Sequence, residues 1–146
     1  MASKREQVIE AVVALLAGLA VTNLAVKREE EEPDELPRDP LFIVEDGLPV
    51  EDDVTLGLPP VYFWRHPIPV TLLLQAADLA AARERGDEIL LLVEAALEVD
   101  RSLGGLCQHI EGADLETAQD YNEGAAPRLR ISFNLVAWYD SQGALV

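Results

Sequence analysis

The stretch from Ala76 to Tyr139 decides how this chain folds, and its end is the most readable part: Arg128-Leu129-Arg130-Ile131-Ser132-Phe133-Asn134-Leu135-Val136-Ala137-Trp138-Tyr139. Successive side chains of a strand point to opposite faces. Leu129, Ile131, Phe133, Leu135 and Ala137 therefore face inward, with Arg128, Arg130, Ser132 and Asn134 outward. One buried face and one wet face predict an antiparallel sheet. Upstream, Leu79 to Asp100 has helical spacing, with Ala82, Gly86, Leu90, Val93 and Leu97 on its buried face. Gly86 costs that helix about 1 kcal/mol relative to alanine unless another backbone packs there. The helix closes on Asp100-Arg101-Ser102-Leu103-Gly104-Gly105-Leu106, where glycine most easily takes positive φ. Between helix and final strand lie a strand, Leu106 to Glu111, a polar loop, Gly112 to Asn122, and the turn Glu123-Gly124-Ala125-Ala126-Pro127.

Outward from this stretch, the strand Val61 to Gln75 alternates in its second half. Ile68, Val70, Leu72 and Leu74 share one face, and Pro69, Thr71 and Leu73 the other. Pro67 and Pro69 lack ladder donors, which predicts that the first half lies at an edge or beyond the sheet. Leu41-Phe42-Ile43-Val44 reads as a buried strand, and Thr22 to Arg28 as a short one. Glu45 to Asp53 reads as a turn with Gly47 and Pro49, followed by a possible strand at Val54-Thr55-Leu56. Lys4 and Arg5 before the apolar run Ala11 to Val21 superficially resemble a secretion signal. Glu6, Gln7 and Glu10 interrupt that pattern, and the run is too short for a bilayer. Ser3 and Glu6 fit a capping box instead, opening an amphipathic helix from Lys4 to about Leu19. The tail from Asp140 reads as loose.

At 146 residues the chain suits one domain, burying roughly 70% of the surface exposed when unfolded. Neither an internal repeat nor an interdomain linker is visible. The apolar share of 49% supports a core. The single cysteine, Cys107, excludes an internal disulfide, suits a reducing cytoplasm, and reads as a small strand hydrophobe. Residues 29–53 hold twelve acids and one base, Arg38, and so carry −11 of the net −16. That balance argues against wrapping nucleic acid, which needs clustered Lys and Arg. It suits a surface that DNA passes without adhesion.

Reactive constellations are hard to find. His66 and His109 lack partners at metal-ligand spacing and read as surface or strand histidines. Glu45-Asp46 with Glu51-Asp52-Asp53 departs from the alternating-oxygen calcium loop. Gly104-Gly105 is not followed by a phosphate-binding Lys-Ser or Lys-Thr, and no serine sits in a nucleophile elbow. The expectation is no catalytic residue, no metal and no cofactor. The run Tyr62-Phe63-Trp64 beside Arg65 is different, because neighbouring rings on a strand cannot all face one core. They pack locally or anchor a subunit contact. Trp138, on the wet face, carries the same two readings. Glu29-Glu30-Glu31-Glu32 reads as part of an exposed, mobile acidic loop at about 29–38, or as a ring face or lumen.

The order of these elements resembles the tail terminator (tail-completion) proteins of long-tailed bacteriophages and gene transfer agents. Asp100-Arg101-Ser102-Leu103-Gly104-Gly105-Leu106 and Glu123-Gly124-Ala125-Ala126-Pro127 are the specific motifs, and the likeness covers nearly the whole chain. The resemblance implies a single α+β domain over residues 1–146, with two main helices on an antiparallel or mixed sheet. It implies a homo-oligomeric, hexameric ring at the head-proximal end of the tail tube. Its partners would be the tube protein and a head-completion or neck protein, with DNA passing through the lumen unbound. The ring would be a virion component that assembles in the host cytoplasm, neither enzyme nor membrane protein. A head-completion or other neck protein is the alternative, and a small-molecule-binding or enzymatic α+β domain a third.

Overall fold

The computed structural model describes residues 2–31, 39–120 and 128–145. Most of the acidic loop expected at 29–38 and the whole Glu123–Pro127 turn lie outside the described residues. In chain order the elements are α1 (Lys4–Ala17), β1 (Ala25–Arg28), β2 (Leu41–Val44), β3 (Val50–Val54), β4 (Tyr62–Gln75), α2 (Leu79–Val99), β5 (His109–Asp120) and β6 (Arg128–Ser141). The fold is α+β, with two helices on one face of a six-stranded mixed sheet ordered β1-β2-β4-β6-β5. β3 joins this sheet off the main path, on β4. Among the described residues only β1 and β2 run parallel; the other pairs are antiparallel.

Local chemistry starts both helices. The Ser3 hydroxyl accepts from the Glu6 amide at 3.2 Å, and the Asp78 carboxylate from the Ala81 amide at 2.7 Å. The expected capping box is only half built, because the Glu6 carboxylate turns away to Arg28. The core lies between helices and sheet. Val8, Ile9, Val12 and Leu16 of α1, with Ile89, Val93 and Leu97 of α2, meet Ile68, Val70, Leu72, Leu74 and the inward residues of β6. Burying each such side chain contributes about 1.5–3 kcal/mol. On α2, Ile89 occupies the buried position expected for Leu90, which lies at the margin. Gly86 is buried too, but side chains rather than backbone crowd it. A Cβ there would meet Ile131 Cδ1 at 2.7 Å and Leu74 Cδ1 at 3.2 Å.

Four further expectations are corrected. The first half of β4 lies inside the sheet, paired along its length with β6 from Tyr62↔Ser141 to Gln75↔Arg128. The prolines are tolerated because the opposite side of β4 is shared: β3 takes residues 62–65, β2 takes 70–73, and Pro67 and Pro69 fall between. The Pro69 carbonyl points into this gap and accepts the Glu45 amide at 2.9 Å, so the missing N–H would also have pointed there. Next, the acidic stretch expected as a turn contains β3, recruited by the free side of β4. Finally, the polar segment 112–120 continues β5 through an irregularity between Ala113 and Glu116, where Asp114 has φ 56°. β6 also extends past Asp140, and the Ser141 hydroxyl donates to the Gly143 carbonyl.

Candidate functional site

The aromatic run splits across the sheet as its alternation requires. Trp64 is buried in the chain's own core, its indole N–H donating to the Ser141 hydroxyl at 2.8 Å, and Tyr62 stacks on it at 6.2 Å. Phe63 and Arg65 point to the other face, Phe63 half-buried and Arg65 exposed. Arg65 stands opposite Trp138, and Trp138 opposite His109, so these three form a row across β4, β6 and β5 on the face the helices leave open. The rings of His109 and Trp138 lie 6.0 Å apart. Of the candidate acidic run, Glu29, Glu30 and Glu31 are exposed, and Glu32 lies outside the described residues. Glu29 is tied locally, with its carboxylate accepting the Asp46 amide, and Lys27 pairs with Glu30 at 3.4 Å.

A polar network joins α1 to the sheet. Arg28 donates to both Glu6 carboxylate oxygens, at 2.5 and 2.8 Å, and to Asp46 Oδ1 at 2.7 Å. These bonds hold Glu6 and Asp46 below the usual carboxylate range. Asp46 continues the chain through its carbonyl, which lies 2.6 Å from His66 Nε2. A carbonyl only accepts, so Nε2 carries the proton, and Nδ1 accepts from the Tyr139 hydroxyl at 2.9 Å. His66 is a fully buried strand histidine. Burial lowers its pKa and pushes the Tyr139 phenol up to about 12. Every polar atom of the ring is occupied by structure.

The Asp100–Leu106 motif is likewise a device of the fold. The Asp100 carboxylate accepts the Ser102 amide and hydroxyl and the Gly104 amide, at 2.6–2.9 Å. Arg101 donates to the Ile110 carbonyl at 2.8 Å and pairs with Glu98, latching the turn to β5. Cys107 follows, buried, its thiol pushed up to about 11 by desolvation and then by the Asp100 charge. Such a thiol is a poor nucleophile at neutral pH.

Two surfaces remain that the sequence reading did not single out. The hairpin joining β3 to β4 carries Leu56 and Leu58 at 99% and 98% exposure, with Leu48 also exposed before β3. At the other edge of the sheet, a groove of about 480 Å³ runs between α2 and β5. Leu90, Leu91, Leu115, Phe133 and Leu135 line it, and Asp87, Glu94 and Asp114 supply its charge. Leu91 and Leu115 stand exposed beside it. Both surfaces had a signal. Val54 to Trp64 is an uncharged run in a chain of 26% charged residues, and Leu90-Leu91-Leu92 cannot all face inward from one helix. Among the described residues no group of His, Cys, Asp and Glu is arranged to hold a metal ion, and no helix is long and apolar enough to cross a membrane. No known protein family and no curated protein matches the chain.

Proposed function

We propose that this chain is a tail terminator: one subunit of a six-membered ring that caps the head-proximal end of a tail tube, stops tube polymerisation and joins the tail to the head or neck. The observation that carries the reading is the placement of solvated leucines on opposite sides of the β4–β6 pair, at the β3–β4 hairpin and beside β5. Large exposed apolar patches mark association sites, and two different patches on one chain suit assembly with different neighbours on its two sides. The resemblance through Asp100–Leu106 narrows that assembly to the end of a tail tube. The work is geometric. One ring face copies the surface that a tube subunit recognises, and the other lacks the surface needed to accept a further ring of tube. Glu29, Glu30 and Glu31 face the lumen in this reading, and carboxylates repel passing phosphates.

Electron microscopy of particles lacking this chain tests the proposal. Overlong tails are expected; full heads beside free tails of normal length would assign the chain to head completion instead. For the lumen, replacing Glu30 and Glu31 together by glutamine is expected to slow DNA ejection. Unchanged ejection would remove the acidic-lumen part and leave the terminator reading intact.

A further inference from the structure

Among the described residues the helix layer stops short of the last strand of the sheet. Five strands in the order β1-β2-β4-β6-β5 span about 24 Å, whereas two helices side by side cover about 20 Å. α1 lies against β1 and α2 chiefly against β6, and residues 114–118 of β5 are exposed on both faces. α2 carries a second stripe toward that bare strand. Beside its buried residues, positions 83, 87, 90, 91 and 94 follow helical spacing and border a groove against β5. Leu90 and Leu91 stand at the centre of this row, Arg83 at one end and Glu94 at the other. Between those ends the helix rises about 16 Å, or three turns. We propose that a helix of a partner protein, apolar on one face and rich in lysine or arginine along its margins, lies in this groove as the third helix of the layer.

Charge selects this occupant. Asp87 and Glu94 flank the leucines from the helix and Asp114 from the strand, against the one cation Arg83. Among the described residues no ion pair engages Asp87 or Asp114, and Glu94 has only Arg101 at 3.7 Å, which is bonded more closely to Glu98. A basic margin pairs these acids when the apolar face is buried. A second copy does the reverse, because its solvated leucines are backed by Glu51, Asp52 and Asp53 and the whole chain carries −16. Backbone geometry favours a helix over an added strand. The groove lies on the face of β5 and not along its outer edge, and β5 is irregular between Ala113 and Glu116. Gly112 keeps the floor open: a Cβ there would point toward α2 and meet only Glu94 Oε1, at 3.5 Å. The proposal needs the groove alone and holds whether or not the chain caps a tail tube.

Fluorescence anisotropy of a labelled peptide with the full chain tests this. The probe has about 14 residues, leucine and lysine only, with the leucines at helical spacing. A scrambled peptide of the same composition and one with glutamate in place of lysine are the controls. Expected is saturable binding of the patterned probe, about tenfold tighter than either control. G112V, which fills the groove, is expected to weaken binding about tenfold. L91Q, altered at a position 69% exposed, is expected to do the same and keeps the test valid should G112V disturb the fold. D87N/E94Q is expected to weaken binding about fivefold. E30Q/E31Q, which removes as much charge elsewhere, is expected to leave it unchanged. Three results would overturn the proposal: a scrambled probe that binds as tightly, equal losses in the two neutralised chains, or binding untouched by both G112V and L91Q. Tighter binding of the glutamate probe would do so too. Self-association that G112V and L91Q both abolish would give the groove to a second copy instead.

Discussion

His66 ties three parts of the chain together at single atoms, and its chemistry predicts a pH response. Burial disfavours the imidazolium most, the Asp46 carbonyl bond opposes that, Arg5 adds to it, and the Asp46 carboxylate opposes it. Tyr139, on β6, presents a neutral hydroxyl to the other ring nitrogen. The folded pKa is lowered, so the unfolded chain takes up the proton first as pH falls. The stability contributed by neutral His66 is complete above about pH 6.5 and is lost on descending toward the folded value. Urea unfolding is expected to show declining stability from pH 6.5 to 5, and H66Q to remove that slope. The Glu6 and Asp46 carboxylates, whose pKa values are lowered by Arg28, act further down, below about pH 4. Wild-type stability unchanged from pH 7 to 5 would refute the neutral-imidazole account. Y139F leaves Nδ1 buried without its donor and is expected to cost about 1–3 kcal/mol.

Two glycines show how an element's surroundings decide the effect of one methyl group. Gly47 has φ +64°, and a Cβ there would lie 2.1 Å from the Pro67 carbonyl oxygen, because residues 45–49 run along the gap between β2 and β3. Backbone cannot yield cheaply, and positive φ adds strain. G47A is expected to lower stability by more than about 2 kcal/mol in denaturant titration. Gly86 meets methyl tips of Ile131, Leu74 and Leu129, which can turn aside. The helix propensity gained by alanine, about 1 kcal/mol, offsets that displacement, so G86A is expected within about 1 kcal/mol of wild type. An equal loss at both positions would contradict this distinction. The same contrast explains which elements were legible. β6 and the second half of β4 announced themselves because one of their faces is apolar and buried throughout, while the other, Leu73 and Val136 apart, is polar or part-exposed. β3 and the far half of β5 are mostly exposed, carry few apolar residues, and exist because β4 and β6 offer them unpaired backbone. No local propensity encodes that offer. The candidate interface was legible in the same measure. Alternation placed Trp138 on the open face, whereas the position of Arg65 beside it needed the β4–β6 register and the Leu56–Leu58 tip needed the hairpin to be known.

For the whole molecule, a net charge of −16 sets the response to salt. Arg28 and Arg101 are held in ion pairs, and far more carboxylates than cations remain, so screening relieves more repulsion than it removes attraction. Raising NaCl from about 20 mM to 0.5 M is expected to raise Tm by a few degrees in calorimetry. A fall would mean that the ion pairs outweigh the crowded acids. The sequence by itself determined the class of fold, the two helices, the inner faces of β4 and β6, and the Asp100–Leu106 turn, because each rests on periodicity or contacts between near neighbours. Tertiary structure alone decided that β3 pairs with β4, that His66 is bridged between Asp46 and Tyr139, and that the hairpin leucines and the α2–β5 groove stand on opposite sides of the β4–β6 pair. Those features join residues far apart in the chain, and no local pattern of side chains specifies which distant backbone or pocket will be within reach.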